Sequence, residues 1–314
     1  MHLLNKLACA ALLVLPLAAQ ESEARFRADT RLVLLHATVA DKNGSLITNL
    51  GREAFTVYEN GVAQTLRVFR REDVPVSLGL VIDNSGSMRD KRRKVESAAL
   101  ALVKGSTRAD EVFIVNFNDD AFLDVEFTTD VKAMEEGLSK IDSRGGTAMR
   151  DAVSMSIDYL KEKGKRDKKI LLVVTDGNDN TSTMALEKLV GKVQQSEVLV
   201  YTIGLLSEEE RREARRAKRA LDAITEAAGG LAYYPKEPEE VEKIALQVAQ
   251  EIRSQYVLAY TPAVQTLDGS FRQIKVAVKG PNRPVARTRP GYYATPDEPS
   301  PKRPATPAAS PFRP

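Results

Sequence analysis

The fold follows from one stretch of sequence, Val76-Ser77-Leu78-Gly79-Leu80-Val81-Ile82-Asp83-Asn84-Ser85-Gly86-Ser87. Its residues are nearly all apolar up to Ile82, which is typical of a strand buried on both faces. The apolar run ends at Asp83, and small polar residues follow directly. The stretch therefore predicts a central strand of a helix-covered parallel sheet, with a polar turn at its carboxyl end.

Strands alternate with amphipathic helices on either side of this stretch, over residues 74–254, and this alternation predicts a parallel sheet with helices on both faces. The predicted strands are 76–82, 111–117, 122–127, 170–174, 198–203 and 232–234. The predicted helices are 91–104, 131–141, 149–162, 186–195, 207–228 and 238–254. Because only a few residues separate strand 111–117 from strand 122–127, these two are expected to form an antiparallel hairpin.

Two β segments flank the α/β region. Residues 25–73 contain the strand-like run 32–39 and two pairs typical of tight hairpin turns, Asn43-Gly44 and Asn60-Gly61. The second segment, 255–293, contains predicted strands at 256–260, 271–278 and 285–289. Neither segment has enough strands to enclose a core alone, so we expect both to join in one small all-β sandwich that carries the α/β region as an insertion.

The two ends of the chain have compositions that differ from the rest. Residues 1–24 contain Lys6 and an apolar stretch followed by small residues, which predicts a cleaved signal peptide and an exported protein, periplasmic or secreted. The tail, residues 294–314, is rich in proline and charge and is predicted to be disordered. No other apolar stretch approaches the roughly 20 residues of a membrane helix, so no transmembrane segment is expected in the mature chain.

Removal of the signal peptide would also remove Cys9 and His2 and leave His36 as the only histidine. Disulfide, thiolate and zinc-thiolate chemistry are thereby excluded for the mature chain. The formal net charge of the full sequence is +3, which is small for its length of 314 residues and argues against nucleic acid as a partner.

Two aspartates end apolar strands and begin polar turns, Asp83 after Ile82 and Asp176 after Thr175. Ligand sites of open α/β sheets lie beyond the carboxyl ends of strands, where the strand order reverses, so the two carboxylates would converge if their strands flank that point. Like charges that close are unfavourable without a cation between them. With the hydroxyls of Ser85 and Ser87 the site would be all-oxygen, and such a site selects Mg²⁺, Ca²⁺ or Mn²⁺.

These residues carry a family resemblance. Asp83-x-Ser85-x-Ser87, the loop Gly145-Gly146-Thr147 and the run Thr175-Asp176-Gly177 resemble the metal-ion-dependent adhesion site of von Willebrand factor A domains, over about 74–254. The resemblance implies a Rossmann-like, mostly parallel sheet with one antiparallel edge strand. The flanking β segments and the tail are similar to exported bacterial proteins of a von Willebrand factor A-related family best represented in acidobacteria.

The resemblance further implies direct hydroxyl ligands at Ser85, Ser87 and Thr147, with Asp83 and Asp176 binding the cation directly or through water. One coordination position would then remain open for an acidic side chain of a protein partner. We therefore expect a metal-dependent, adhesion-type binding module. Two alternatives stay open: the five residues could cap helices and end strands without a cation, or the cation could bind without a partner.

Other functions find less support in the sequence. A serine hydrolase needs a general base beside its nucleophile, and His36 lies far from Ser85 in a strand-like run. No phosphate-binding glycine motif is present, which argues against a nucleotide-binding enzyme. Since neither a nucleophile with its base nor a nucleotide site is identified, no enzyme activity is expected. Asp119-Asp120 are interpreted as solvated turn residues, and the charged run 208–219 as a solvated helix. The main alternative is a structural envelope or assembly protein that binds through its β-sandwich and carries a passive α/β insertion.

Overall fold

A computed structural model describes residues 32–71, 73–107, 109–139, 143–177, 179–207, 211–237 and 239–296. In chain order, its strands are β1 (Val33–Ala40), β2 (Phe55–Glu59), β3 (Val62–Gln64), β4 (Leu66–Arg70), β5 (Val76–Asp83), β6 (Glu111–Phe117), β7 (Ala121–Thr128), β8 (Lys168–Thr175), β9 (Leu199–Gly204), β10 (Ala232–Tyr233), β11 (Tyr256–Tyr260), β12 (Phe271–Val278), β13 (Val285–Arg287) and β14 (Gly291–Tyr293). Its α-helices are α1 (Arg92–Lys104), α2 (Val131–Ser139), α3 (Met149–Lys163), α4 (Leu186–Ser196), α5 (Arg211–Ala228) and α6 (Glu240–Arg253).

The α/β region is built on a six-stranded sheet in the order β10-β9-β8-β5-β6-β7. β5 pairs in parallel with β6 and β8, and all of its residues are buried, as its apolar sequence predicts. β7 lies at the edge and pairs antiparallel with β6, so the expected hairpin and the antiparallel edge strand are both present. The predicted fold class is confirmed.

Three helices cover each face of this sheet. On one face, α1, α2 and α6 pack over alternate residues of β5 such as Leu78 and Leu80. On the other face, α3, α4 and α5 pack over Val81 and the aromatic residues Phe113 and Phe117 of β6. Burial of both faces explains why the central strands are continuous apolar runs rather than alternating ones.

The flanking segments form two four-stranded sheets, ordered β13-β1-β11-β4 and β14-β12-β2-β3. In both, strands from before the α/β region pair antiparallel with strands from after it: β1 with β11, and β2 with β12. Side chains of the two sheets share one core that includes Leu35, Val57, Tyr256 and Ile274. The N-terminal and C-terminal strands therefore complete each other in a sandwich, which supports the predicted insertion. The boundaries 25–73, 74–254 and 255–293 stay predictions.

A buried polar cluster joins the sandwich to the α/β region. Glu251 of α6, only 3% exposed, accepts hydrogen bonds from Thr38 of β1 at 3.1 Å, Tyr201 of β9 at 2.9 Å and Tyr233 of β10 at 3.0 Å. Arg287 of β13 forms an ion pair with the same carboxylate. Because burial of a lone charge is costly, this pairing is what allows a carboxylate at the junction.

One predicted turn needs correction, and one strand was missed. Asn60 and Gly61 have φ of 48° and 81°, as the predicted hairpin turn requires, but of the pair Asn43-Gly44 only the glycine has positive φ. The turn at Asn43-Gly44 instead depends on Asp41, whose carboxylate accepts hydrogen bonds from the backbone N–H groups of Asn43 and Ser45. Strand β14 was not predicted because it has only three residues and directly follows a proline.

The predicted tail begins too early. Ala294 is 3% exposed, and its backbone exchanges hydrogen bonds with Gly269 and Ser270 at 2.9 Å each, so it belongs to the sandwich. The predicted signal peptide at 1–24 and residues 297–314 of the tail lie outside the described residues. Within the described part of the chain, no helix has the length and apolar character needed to cross a membrane.

Candidate metal centre

The candidate site lies at the carboxyl edge of the six-stranded sheet, where β5 and β8 end side by side. Ile82 pairs with Val174 in parallel register, so Asp83 and Thr175 are neighbours across the two strand ends. The strand order reverses here, since β6 lies on one side of β5 and β8 on the other. Loops leaving such a point diverge and open a crevice. The condition under which the sequence predicts that Asp83 and Asp176 converge, that their strands flank this point, is met.

Asp83 is fixed in place by its neighbours. Its side chain is 3% exposed; Oδ2 accepts a hydrogen bond from Thr175 Oγ1 at 2.6 Å, and Oδ1 accepts one from the Ser85 backbone N–H at 2.9 Å. Burial and the negative charge of Asp176 raise the pKa of Asp83 from 3.8 to about 6, although both hydrogen-bond donors oppose the shift. Asp176 is thus close enough to disfavour the charge of Asp83.

Asp176 has a cationic neighbour that the sequence did not reveal. The Lys91 ammonium lies 3.4 Å from Asp176 Oδ2 and donates to the Leu205 carbonyl at 3.3 Å. The Asp176 side chain is 9% exposed, whereas that of Lys91 is 25% exposed. The lysine therefore offsets part of the negative charge of the site from its solvent side.

The predicted hydroxyl residues surround the same crevice. Ser85 Oγ and Ser87 Oγ are 3.1 Å apart, and Ser85 and Thr147 are 2% and 3% exposed. A cleft of about 620 Å³, which we call the metal cleft, is lined by Ser85, Ser87, Thr147 and Asp176 together with further residues that include Asp90, Lys91, Asn180 and Glu213. Asp83 lies behind it, held by Thr175 and Ser85. The structure thus brings all five predicted residues to one place.

The loop that carries Thr147 is held by side chains from two other loops. The backbone N–H of Gly146 donates to Asp119 Oδ1 at 2.7 Å, and that of Thr147 donates to Asn180 Oδ1 at 2.9 Å. A Cβ atom on Gly146 would meet Thr181 Cγ2 at 2.6 Å, Asn180 Oδ1 at 2.7 Å and Asp119 Oδ1 at 2.9 Å, so a larger residue would displace the side chains that hold the loop. Asp119 is exposed, as expected for a turn residue, but it also positions this loop.

The donor set suits a hard cation. Two converging carboxylates and three hydroxyl groups are oxygen donors, which Mg²⁺, Ca²⁺ and Mn²⁺ prefer. Among the described residues, no group of three or more His, Cys, Asp or Glu side chains is placed to hold a metal. A cation in this part of the chain would therefore depend on the serine and threonine hydroxyls, and the ligand roles of the five residues stay a prediction.

Supporting residues of the site were missed because they act through contacts between distant parts of the chain. Thr175 was noted only as part of a motif, and Lys91 and Asn180 were assigned no role in positioning the site. A threonine directly before a strand-end aspartate is a usable signal for Thr175, since its side chain can reach the neighbouring strand end. No sequence signal distinguishes Lys91 from the other basic residues at the start of α1.

The fold and this crevice together define a class: an α/β domain with a mostly parallel sheet and an oxygen-rich site at its carboxyl edge. Residues 78–178 match the family model described as von Willebrand factor type A domain, and the chain contains a domain of this family. The narrower resemblance to exported acidobacterial proteins stays a prediction.

Two relatives each match a part of this chain rather than its whole length. Calcium-activated chloride channel regulator 1 of Equus caballus is 26% identical over 163 residues, which is 49% of this chain and 16% of the regulator. An uncharacterized protein of Borreliella burgdorferi is 30% identical over 104 residues, covering 32% of this chain and 30% of that protein. The chain thus spans less than a third of the length of either relative.

Solved structures with similar folds are more distant in sequence. Proximal thread matrix protein 1 of the mussel byssus, solved with a zinc-occupied MIDAS motif, is 15% identical, with a TM-score of 0.50 over 62% of this chain and 50% of that chain. The von Willebrand domain of the pilus tip protein Mfa5 from Porphyromonas gingivalis is 12% identical, with a TM-score of 0.47 over 57% and 95%. At these identities the likeness is one of fold.

Proposed function

We propose that the chain is an exported, metal-dependent binding module that holds a divalent cation and recognises an acidic side chain of a protein partner. One observation carries this proposal: Asp176 and the hydroxyls of Ser85, Ser87 and Thr147 line a single open cleft, with Asp83 directly behind them. Export rests on the predicted signal peptide at residues 1–24, outside the described residues.

The protein's own residues would prepare the site for the cation. Thr175 and the Ser85 backbone orient Asp83, while Asp119 and Asn180 hold the loop of Thr147. Repulsion between Asp83 and Asp176 favours a divalent cation, because it would relieve the unfavourable charge pair. When bound, the cation would supply a concentrated positive charge and an open position for a carboxylate. We propose Mg²⁺, Ca²⁺ or Mn²⁺; the zinc in the mussel protein supports a divalent cation without favouring one of these.

We propose binding rather than catalysis as the activity of the site. A hydroxyl nucleophile needs an adjacent base, and His36 lies on β1 of the sandwich, away from Ser85. Lys91 is engaged by Asp176 and a backbone carbonyl and cannot readily serve as that base.

Isothermal titration calorimetry of the chain with Mg²⁺, Ca²⁺ and Mn²⁺ tests the metal step. We expect saturable binding of at least one cation by the wild type and its loss in Asp83→Asn and in Ser85→Ala. Asp90→Asn is the matched control, since Asp90 is an exposed carboxylate in the same cleft but is not one of the five predicted ligands. Absence of binding by the wild type, or equal loss in the control, would contradict the proposal.

A second candidate function is that of an assembly protein that binds through the sandwich. Val264, Leu267 and Phe271 are 53%, 46% and 37% exposed on the sandwich, and Val285 is 67% exposed. Val264, Leu267 and Phe271 are close in sequence, and neighbouring exposed apolar side chains are typical of contact surfaces. On this hypothesis the α/β region would be a passive insertion.

Capture of partners from an envelope extract separates the two functions. A partner that is retained in Mg²⁺ and released by a chelator or by Asp83→Asn supports the metal-dependent module. A partner that remains bound in chelator, but is lost when Leu267 and Phe271 are both replaced by serine, supports the assembly protein.

A further inference from the structure

A second cleft lies beside the metal cleft and is dominated by arginine. It measures about 500 Å³, and its walls are the start of α3, the loop after β8 and one face of α5. Four arginines line it, namely Arg150, Arg212, Arg216 and Arg219. Arg212, Arg216 and Arg219 follow the spacing i, i+4, i+7, which places them on one face of α5. We call this feature the arginine cleft.

The positive charge of the arginine cleft is largely uncompensated within the described residues. Its lining contains a single carboxylate, Asp179, which Arg150 engages at 2.9 Å and Ser182 at 2.8 Å. The three arginines of α5 are exposed, and no described carboxylate lies within salt-bridge distance of them. Lys218, on the same helix, is paired with Asp222 at 2.9 Å. Guanidinium groups held in a concave surface without partners favour an anionic ligand.

The two clefts are lined by neighbouring residues of the same segments of chain. Asp176 lines the metal cleft and Gly177 the arginine cleft. Likewise, Thr147 lines the metal cleft and Met149 the arginine cleft. Helix α5 contributes residues to both clefts. Alanines and Met149 are among the residues that line the arginine cleft, so the backbone of an extended peptide ligand can pack against apolar side chains there. The same three segments of chain thus contribute to both clefts.

We propose that the arginine cleft binds an acidic peptide segment of the partner, whose further carboxylates pair with Arg212, Arg216 and Arg219 while one carboxylate reaches the cation. This inference rests on the proposed function for the last step only; the pairing with arginine does not require the cation. The proposed class of partner is thereby restricted: a single acidic side chain is not enough, and the partner must carry several acidic residues in an extended segment.

A nucleic acid fits this surface less well. A phosphate backbone needs a continuous basic track, but the adjoining metal cleft contains the carboxylates of Asp90, Asp176 and Glu213, which repel it. The chain as a whole has 46 Lys and Arg against 43 Asp and Glu, so no general cationic field attracts polyanions. A peptide, in contrast, can place one carboxylate at the cation and others beyond it.

Fluorescence anisotropy with a dye-labelled oligoglutamate peptide tests the inference, in Mg²⁺ and in chelator. The test variant is Arg212→Gln with Arg216→Gln. The matched control is Arg211→Gln with Arg215→Gln, since those arginines are exposed on the same helix but do not line the cleft. Both variants change the charge equally. An oligoglutamine peptide and a single-stranded oligonucleotide serve as further probes.

We expect the test variant to bind oligoglutamate about tenfold more weakly than the wild type, because charge-assisted hydrogen bonds are lost, and the control variant to change little. Equal weakening in both variants, or no binding of oligoglutamate to the wild type, would overturn the inference. So would an oligonucleotide that binds more tightly than oligoglutamate and depends on the same two arginines.

The outcomes for the two proposals are distinguishable. If calorimetry shows no cation binding but the arginine dependence persists in chelator, the proposed function fails and the arginine cleft stands. If the cation binds and oligoglutamate affinity is the same in wild type and test variant, the arginine cleft fails and the metal-dependent function stands.

Discussion

The hydroxyl of Thr175 donates a 2.6 Å hydrogen bond to Oδ2 of Asp83, across the ends of two neighbouring parallel strands. The same hydroxyl accepts the backbone N–H of Gly177 at 2.9 Å, so one side chain sets both the strand-end carboxylate and the turn that follows Asp176. A buried hydroxyl with two partners links the orientation of the candidate ligands to the sheet itself.

Replacement of Thr175 by valine should therefore reduce both stability and cation affinity. We expect a loss of about 1–3 kcal/mol in the free energy of unfolding, since buried hydrogen-bonding groups lose their partner. Urea denaturation measures the first effect and calorimetry with Mg²⁺ the second. Thr202→Val is the control: Thr202 is 1% exposed on the adjacent strand β9, and its hydroxyl has no hydrogen-bond partner among the residues that the structure describes. A similar loss in both variants would contradict the role assigned to Thr175.

Gly146→Ala should abolish cation binding while the sheet remains folded. The added methyl group would meet Asn180 and Asp119 at less than 3.0 Å, so the side chains that hold the loop of Thr147 must shift and their hydrogen bonds to the loop are lost. Calorimetry and circular dichroism measure the two properties. Gly191→Ala on α4 is the control, because a Cβ there meets no atom of the described residues within 4 Å, and alanine should be neutral or stabilising. Unchanged cation affinity in Gly146→Ala would show that the loop does not position a ligand.

Stability should fall in acid through His36. Burial and the positive charges of Lys168 and Arg289 lower the pKa of His36 from 6.5 to about 3. The folded protein then holds the neutral imidazole while the unfolded chain binds a proton, so the free energy of unfolding decreases as the pH falls from about 6.5 towards 3. At higher pH both states are neutral and the contribution is fully present.

Denaturation of the wild type and of His36→Gln over this pH range measures the effect. We expect the difference in stability between them to be constant above neutral pH and to shift in favour of the variant in acid. Parallel pH profiles for the two proteins would show that His36 is protonated in the folded state.

Glu251→Gln should be strongly destabilising. The carboxylate of Glu251 is the charge partner of Arg287 and accepts hydrogen bonds from Thr38, Tyr201 and Tyr233. Breaking a buried ion pair from one side costs about 3–5 kcal/mol, because the remaining charge is uncompensated. Urea denaturation measures the loss, with the exposed Glu242→Gln on the same helix as control. If Arg287→Met added to Glu251→Gln restores no stability, the ion pair is not the cause.

Much of the fold could be predicted because the apolar pattern reports burial directly. The helix predicted at 149–162 spans Met149–Lys163, and the strand predicted at 170–174 lies within Lys168–Thr175. Such elements are long and are buried by contacts along their whole length. Strand β14 was not predicted because three residues are too few to show a periodic pattern. The turn at Asn43-Gly44 was predicted wrongly because its conformation is set by the side chain of Asp41.

The candidate site could be predicted only in part. Asp83 and Asp176 were identifiable because each ends an apolar strand, and the resemblance to a known family supplied Thr147. The hydrogen bond from Thr175, the ammonium of Lys91 and the arginine cleft depend on which distant segments meet, which no local pattern encodes. The charged run at 208–219 was interpreted as a solvated helix; its arginines are exposed, but three of them share a concave wall.

The pairing of β4 with β11 has a mechanical consequence. Arg70 lies opposite Val257, so the chain leaves the sandwich for the α/β region and re-enters it at adjacent points, with Asp73 and Arg253 joined at 2.9 Å between them. Tension applied by a ligand held in the metal cleft would therefore reach the sandwich through both strands together. β11 would be loaded in shear against β1, where several backbone hydrogen bonds resist at once rather than one after another.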